Sequence, residues 1–223
     1  MKFLVISDIH GNTENLEKMK DQFKEADAVL FAGDFTEFGK EETGIPALKK
    51  LCSLHDTIFA VNGNCDTPTF LADNNDSISV ENSLVSFEGL CIAGCGGGTI
   101  FTKTTANERE EGDMIKDFHL VTDEENTQWD NLIAIMHNPP KDTECDKIPN
   151  GVHVGSALLK EFVDKVQPLL VVTGHIHESA AICSVGKTTV INPGAVLEGK
   201  YAVVEAEKEN NEWKIKKAEL KSL

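Results

Sequence analysis

The chain has 223 residues, 40% of them apolar, and its 21 Lys+Arg against 37 Asp+Glu give a formal net charge of −16. The length predicts a single domain over residues 1–223 with a core of its own. A surface this acidic disfavours nucleic acid polymers and anionic membranes, and no apolar run is long enough to span a bilayer.

Residues 2–7 read as a first strand. Asn12 or Thr13 then caps a helix running to about Ala26, with Leu16, Met19 and Phe23 at helical spacing. Further strands are predicted at about 27–32 and 57–62, with a helix at about 43–54 between them. This β-α-β-α-β opening implies right-handed crossovers and a parallel sheet. Residues 77–94 alternate and turn, which predicts antiparallel strands at 77–80, 84–87 and 90–93 around a Glu88-Gly89 turn. The glycine run from Gly94 to Gly98 and the polar segment to about 120 predict a flexible loop. Thr122 and Glu125 read as a capping box for a helix to about Asn131. A strand then ends at His137, Pro139-Pro140 forbids a helix there, and 138–153 reads as a long loop of the kind kept for a function. A helix at 155–166 and a strand at 168–173 follow. The tail is β again, at 179–185, 188–192, 200–206 and 212–219. A parallel half followed by a more antiparallel half predicts two mixed sheets packed together with helices outside, a four-layer α/β/β/α sandwich.

Five apolar runs each end in a short polar motif: Asp8-Ile9-His10, Gly33-Asp34, Gly63-Asn64, His137 and Gly174-His175-Ile176-His177. Ligands in open α/β sheets gather at the carboxyl ends of strands. Seven metal-capable side chains (Asp8, His10, Asp34, Asn64, His137, His175 and His177) are therefore expected at one edge. That number suits two ions with a shared carboxylate, and the donor types favour Mn²⁺, Fe, Zn²⁺ or Ni²⁺ over Ca²⁺. The six cysteines form no CxxC pair, and several lie within apolar runs, so they read as reduced thiols of a cytoplasmic protein. A cleaved signal peptide would remove the first strand and its motif, which points the same way.

The order of these motifs resembles the calcineurin-like metallophosphoesterase superfamily, over about residues 4–194. It is most similar to the small single-domain bacterial and archaeal phosphodiesterases with a Gly-Asn-Cys-Asp third motif. The resemblance implies that Asp8, His10 and His177 hold a first ion, that Asn64, His137 and His175 hold a second, and that Asp34 bridges them. It further implies attack on phosphorus by a metal-bridging hydroxide, with Asp34 and Asn64 as catalytic ligands. The implied substrate is a small phosphoester acted on by a monomer or homodimer.

This chain departs from the histidine that many members carry after the third Asn. It has Gly63-Asn64-Cys65-Asp66, and a thiol is a weak proton donor to a leaving group. His153, on the loop between two ligands, is a candidate acid. Asp66 is either a partner orienting Asn64 or a carboxylate at a helix start. Asn12, Cys65 and Arg109 are candidate substrate contacts, Arg109 being the one arginine in the chain. Dianionic monoesters are commonly gripped by arginine forks, so this scarcity favours a monoanionic diester. His55 and His119 read as ordinary surface residues. The alternatives are a phosphomonoesterase or nucleotidase, or a non-catalytic interaction module of the same fold.

Overall fold

The computed structural model describes residues 1–124 and 127–223. In chain order its strands are β1 (Lys2–Ile6), β2 (Ala28–Phe31), β3 (Ile58–Ala60), β4 (Val85–Phe87), β5 (Leu90–Cys95), β6 (Gly98–Thr99), β7 (Glu108–Arg109), β8 (Leu132–Met136), β9 (Leu170–Val172), β10 (Ala181–Val185), β11 (Thr188–Asn192), β12 (Lys200–Glu209) and β13 (Glu212–Ser222). They form two mixed sheets, in the orders β13-β12-β1-β2-β3 and β10-β11-β9-β8-β5-β4, with β6-β7 as a separate short pair. In the first sheet β1, β2 and β3 run parallel, while β12 lies antiparallel to β1. In the second, β5, β8, β9 and β11 run parallel, with β4 and β10 antiparallel at the edges.

The period-two alternation of strand side chains builds the layers. Phe3 and Val5 of β1 point between the sheets, where they join Leu30, Ile133, Ile135, Leu170, Val172 and Val204. Leu4 and Ile6 point the other way and pack with Leu16, Phe23, Leu48 and Leu51 of the outer helices. On the far face, Leu132, Ala134 and Met136 of β8 meet Phe118, Leu159, Phe162 and Val163. These three apolar layers between four structural ones are the predicted α/β/β/α sandwich. No helix of the described residues is long and apolar enough to cross a membrane.

Several local expectations are corrected. The first predicted helix is two, Thr13–Lys18 and Lys20–Glu25, with Met19 as the junction. Residues 77–80 are not a strand; Asp76–Ile78 is a single 3-10 turn, although β4 and β5 do form the hairpin around Glu88-Gly89. The segment expected as a flexible loop carries β6, β7 and three short helical turns over 111–122, which bury Met114, Phe118 and Val121. Of the capping box, Glu125 lies outside the described residues, Thr122 ends a helix rather than starting one, and 127–129 are not helical. The six cysteines are free thiols, Cys145 and Cys183 having sulfurs 3.9 Å apart.

One buried carboxylate ties the loops after β2 and β3 together. Asp66 accepts from the backbone N–H groups of Gly63 (2.8 Å), Asp34 (3.0 Å), Phe35 (3.3 Å) and Thr36 (2.9 Å). No water reaches it, so without it four buried donors lose their acceptor, at about 1–3 kcal/mol for each left unsatisfied. Asp66→Ala is expected to lower unfolding stability by roughly 3 kcal/mol or more, measured by urea denaturation. Asp66→Asn, which keeps one acceptor oxygen, should lose less. An unchanged urea midpoint in the alanine variant would contradict this role.

Candidate metal centre

The backbone at the strand ends is held in an uncommon conformation. Asp8 (φ 57°), His10 (φ 46°), Asp34 (φ 65°) and His175 (φ 68°) all lie in the left-handed region, which costs non-glycine residues of order 1–3 kcal/mol each. The loops lace together to hold them there: Asp8 N–H donates to Gly33 O (2.9 Å), His10 N–H to Asp34 O (3.0 Å), and Gly174 N–H to His137 O (3.1 Å). Glycine is required where the second and third motifs touch. At Gly33 (φ 95°) a methyl would come within 2.6 Å of Gly63 N, and at Gly63 one would overlap Asp34 Oδ1. The two Gly-polar dipeptides are thus halves of one contact. Asn192 supports the paired histidines from below: its Nδ2 donates to Ile176 O (2.9 Å) and its Oδ1 accepts from Gly194 N–H (2.9 Å).

The seven expected side chains do converge. His10 Nε2 lies 3.2 Å from His177 Nε2, 3.7 Å from Asp8 Oδ1 and 3.5 Å from Asp34 Oδ2. His177 Nε2 lies 3.2 Å from Asp8 Oδ1. On the other flank, His137 Nε2 lies 3.5 Å from Asp34 Oδ2 and 2.8 Å from Asn64 Oδ1. The His175 ring sits 5.1 Å, centroid to centroid, from that of His137. Among the described residues three trios, Asp8/His10/His177, Asp8/Asp34/His137 and His10/Asp34/Cys65, have donor atoms close enough to hold an ion.

The donor chemistry fits cations. The Nδ1–H groups of His10 and His137 donate to the carbonyls of Thr36 (2.9 Å) and Ala32 (2.6 Å), which turns the Nε2 lone pair of each neutral ring into the cluster. His137 Nε2 therefore faces Asn64 Oδ1 acceptor to acceptor, both residues being buried. Asp8 Oδ1 is buried with no backbone donor and faces only imidazole nitrogens, His177 Nε2 at 3.2 Å and His10 Nε2 at 3.7 Å, while Oδ2 accepts from His175 N–H (3.1 Å). Acceptors facing one another away from water are unfavourable unless a cation lies among them.

Electrostatics point the same way. Burial, then Asp66 and Asp8, raise Asp34 well above the usual carboxylate range. Burial works against charge on Asp8 too, but His177 outweighs it and holds that carboxyl low; burial likewise works against charge on His177, and Asp8 outweighs it and raises that imidazole. Burial pushes His175 down to about 3 and lowers His137, which keeps both imidazoles neutral as ligands must be. Burial, then Asp34, push the Cys65 thiol up. Cys65 N–H donates to Asp34 Oδ1 (2.7 Å), and the thiol sits beside His10 and Asp34 at the rim.

Three of the candidate residues are engaged by the chain itself. The Arg109 fork grips Asp117 at 2.6 and 3.0 Å and also donates to Gly96 O and Asp113 O, both at 3.0 Å. His153 Nδ1 pairs with the buried Asp146 (2.7 Å), and its ring lines neither cleft beside the cluster, which argues against the leaving-group acid. Asn12 caps the first helix through Asn15 N–H (3.1 Å) and donates to Leu197 O (3.4 Å), so its amide is used on both sides by the chain itself. His55 is a structural bridge, half-buried between the carbonyls of Ala26 and Thr57. Asp66 and Asn192 position the motif loops through backbone hydrogen bonds. Their signal in the sequence is the polar residue that Gly63-Asn64-Cys65-Asp66 and Asn192-Pro193-Gly194 each set beside a strand end.

Two clefts open on the cluster. One, of about 440 Å³, runs from Cys65 past Thr36, Glu37, Glu41 and Glu42; the other, of about 330 Å³, runs from Asn64 and His175 past Ile100, Phe101 and Ile148. A larger depression of about 540 Å³, beside Trp213 and Lys187, lies at the amino ends of β8 and β9, the opposite edge of the sheet.

Comparison with known proteins agrees with this architecture. The family model for calcineurin-like phosphoesterases matches residues 1–179. An uncharacterized protein of Methanocaldococcus jannaschii is 31% identical over 201 residues, covering 86% of this chain and 88% of that protein. Among solved structures, a putative 5′-nucleotidase from Staphylococcus aureus superposes with a TM-score of 0.64 at 15% identity, covering 99% of this chain and 54% of that one. A structure described as a novel archaeal phosphodiesterase superposes with a TM-score of 0.52 at 17% identity, covering 99% and 100%. Those two likenesses are of fold alone, but the matched family model and the identity to the archaeal relative are enough to place the chain in the calcineurin-like phosphoesterase family.

Proposed function

We propose that this phosphoesterase works with two divalent transition-metal ions and prefers phosphodiesters. Asp8, His10 and His177 hold one ion, Asn64, His137 and His175 hold the other, and Asp34 is shared. The observation that carries this reading is the placement of Asp34 Oδ2, 3.5 Å from both His10 Nε2 and His137 Nε2, at the meeting point of the two histidine pairs. The mixed carboxylate, imidazole and carboxamide set favours Mn²⁺, with Fe, Zn²⁺ and Ni²⁺ as competitors. When bound, such ions activate water at neutral pH and neutralise charge that builds on phosphoryl oxygens.

The chain's own residues contribute orientation. The carbonyls of Thr36 and Ala32 fix the two inward-facing imidazoles, and Cys65 N–H engages one oxygen of Asp34, leaving the other for the centre. The diester preference rests on charge. No lysine or arginine is among the residues lining either cleft, and Glu37, Glu41 and Glu42 face the first. A dianionic monoester would find no guanidinium fork there, because Arg109 is committed to Asp117. A monoanionic diester needs less positive charge. The fold is shared by proteins described as a phosphodiesterase and as a putative 5′-nucleotidase, so the neighbours alone do not choose between them.

Stripping the protein of metal and adding back Mn²⁺ should restore hydrolysis of bis(p-nitrophenyl) phosphate, at a higher kcat/KM than for p-nitrophenyl phosphate. His177→Ala and Asp34→Asn should each lower kcat by roughly a hundredfold or more, in line with the loss of a group that positions transition-state charge. A monoester preference would remove the charge argument, and full activity without metal would remove the reading.

Arg109→Ala tests whether that residue serves the fold through Asp117 or the substrate. It should lower the urea midpoint, with a loss of about 2 kcal/mol from the broken charge-assisted pair. KM for the diester should stay unchanged. A large rise in KM with unchanged stability would restore Arg109 as a substrate contact.

A further inference from the structure

The cleft that opens from Asn64 and His175 differs in chemistry from the rest of this acidic protein. Its walls are Ile100 and Phe101 on one side and Ile148, Val154 and Ile176 on the other. Phe101 is 91% exposed and Ile100 is 37% exposed, so the outer wall presents apolar surface to water rather than to the core. A concave site walled by several neighbouring apolar side chains is a place where an apolar group is received.

The wall is built, not adventitious. Gly98, at the root of the loop, packs against both inner ligands: a methyl there would come within 3.2 Å of Asn64 Cβ and 3.5 Å of His175 Cε1. From that point the loop turns over a single carboxylate. Glu108 accepts from the N–H groups of Phe101 (2.7 Å), Lys103 (2.9 Å), Thr104 (2.9 Å) and Thr105 (3.2 Å). The loop that carries Phe101 is thus cross-braced before any ligand arrives, which limits the ordering cost of binding. Glu108 is the one charged residue lining this cleft, and its oxygens are occupied by those donors. No cationic side chain lines it to take a second phosphate. The cleft on the Cys65 side carries one exposed aromatic, Phe38, but sets it among Glu37, Glu41 and Glu42, which disfavours an anionic group and leaves no continuous apolar wall.

We infer that the cleft between Phe101 and Ile148 receives an uncharged apolar or aromatic ester substituent of the substrate, and so selects phosphodiesters carrying such a group over those carrying a further phosphate or only small polar groups. The inference rests on the phosphodiesterase reading above. The phosphorus lies at the metal cluster, one substituent lies along Ile100 and Phe101, and the other leaves toward Cys65.

Calorimetric titration of the Mn²⁺-loaded protein with monoanionic phosphonates of equal charge tests this without turnover. The probes are the monomethyl esters of methyl-, butyl- and phenylphosphonic acid, each with at most one large substituent. Kd should fall roughly tenfold or more from methyl to phenyl, the size of effect one hydrophobic subsite gives. The heat capacity change should become more negative along the series. In Phe101→Ala and Ile148→Ser the series should flatten; Phe101 is exposed, so its loss leaves the core intact. A flat series in the parent protein, or an equally steep one in both variants, overturns the inference. The phosphodiesterase reading is judged separately on the same preparation, by hydrolysis of bis(p-nitrophenyl) phosphate. Hydrolysis with a flat series sinks only the apolar subsite, and a steep series without hydrolysis sinks only the reaction.

Discussion

The buried carboxylate of Asp34 is the point on which the two halves of the site depend. It stands at the end of β2, between β1 and β3, in a left-handed backbone conformation that two neighbouring glycines permit. One oxygen is held by Cys65 N–H and the other lies equally far from a histidine of the first sheet and a histidine of the second. Burial and the carboxylates of Asp66 and Asp8 oppose its charge. A group so placed is unfavourable by itself and favourable with cations beside it. The sandwich is the scaffold that makes the placement possible, because the carboxyl ends of both parallel strand sets open on the same edge.

Much of this was legible in the sequence, for a physical reason. Strands buried on both faces read as continuous apolar runs, and the residue after each run must sit at the strand end whatever the loops do. Asp8, His10, Asp34, Asn64, His137, His175 and His177 were found that way, and so was the pairing of a parallel half with a more antiparallel one. What failed were features set by long-range contacts. The break at Met19 splits a segment with helical spacing throughout. Residues 77–80 alternate like a strand, yet Ser79 makes a lone bridge to Ala60. The turns over 111–122 are short, but Phe118 and Val121 pack under β5 and β8. No local pattern announces that Arg109 meets Asp117, that His153 meets Asp146, or that one aspartate gathers four amides from two loops.

Charge is arranged in opposition to its average. The chain carries −16 overall, its single arginine is locked into an ion pair, and its remaining cations are lysines, none of which lines either cleft at the cluster. On the proposed reading, positive potential at the site would come from bound ions, which would tie anion binding to metal loading.

The central claim is that two ions share Asp34, and ion counting tests it most directly. Equilibrium dialysis of the metal-stripped protein against Mn²⁺ should give two bound ions per chain, with Asp34→Ala weakening both sites together. A single ion per chain, or two whose affinities do not respond to Asp34, would contradict the account.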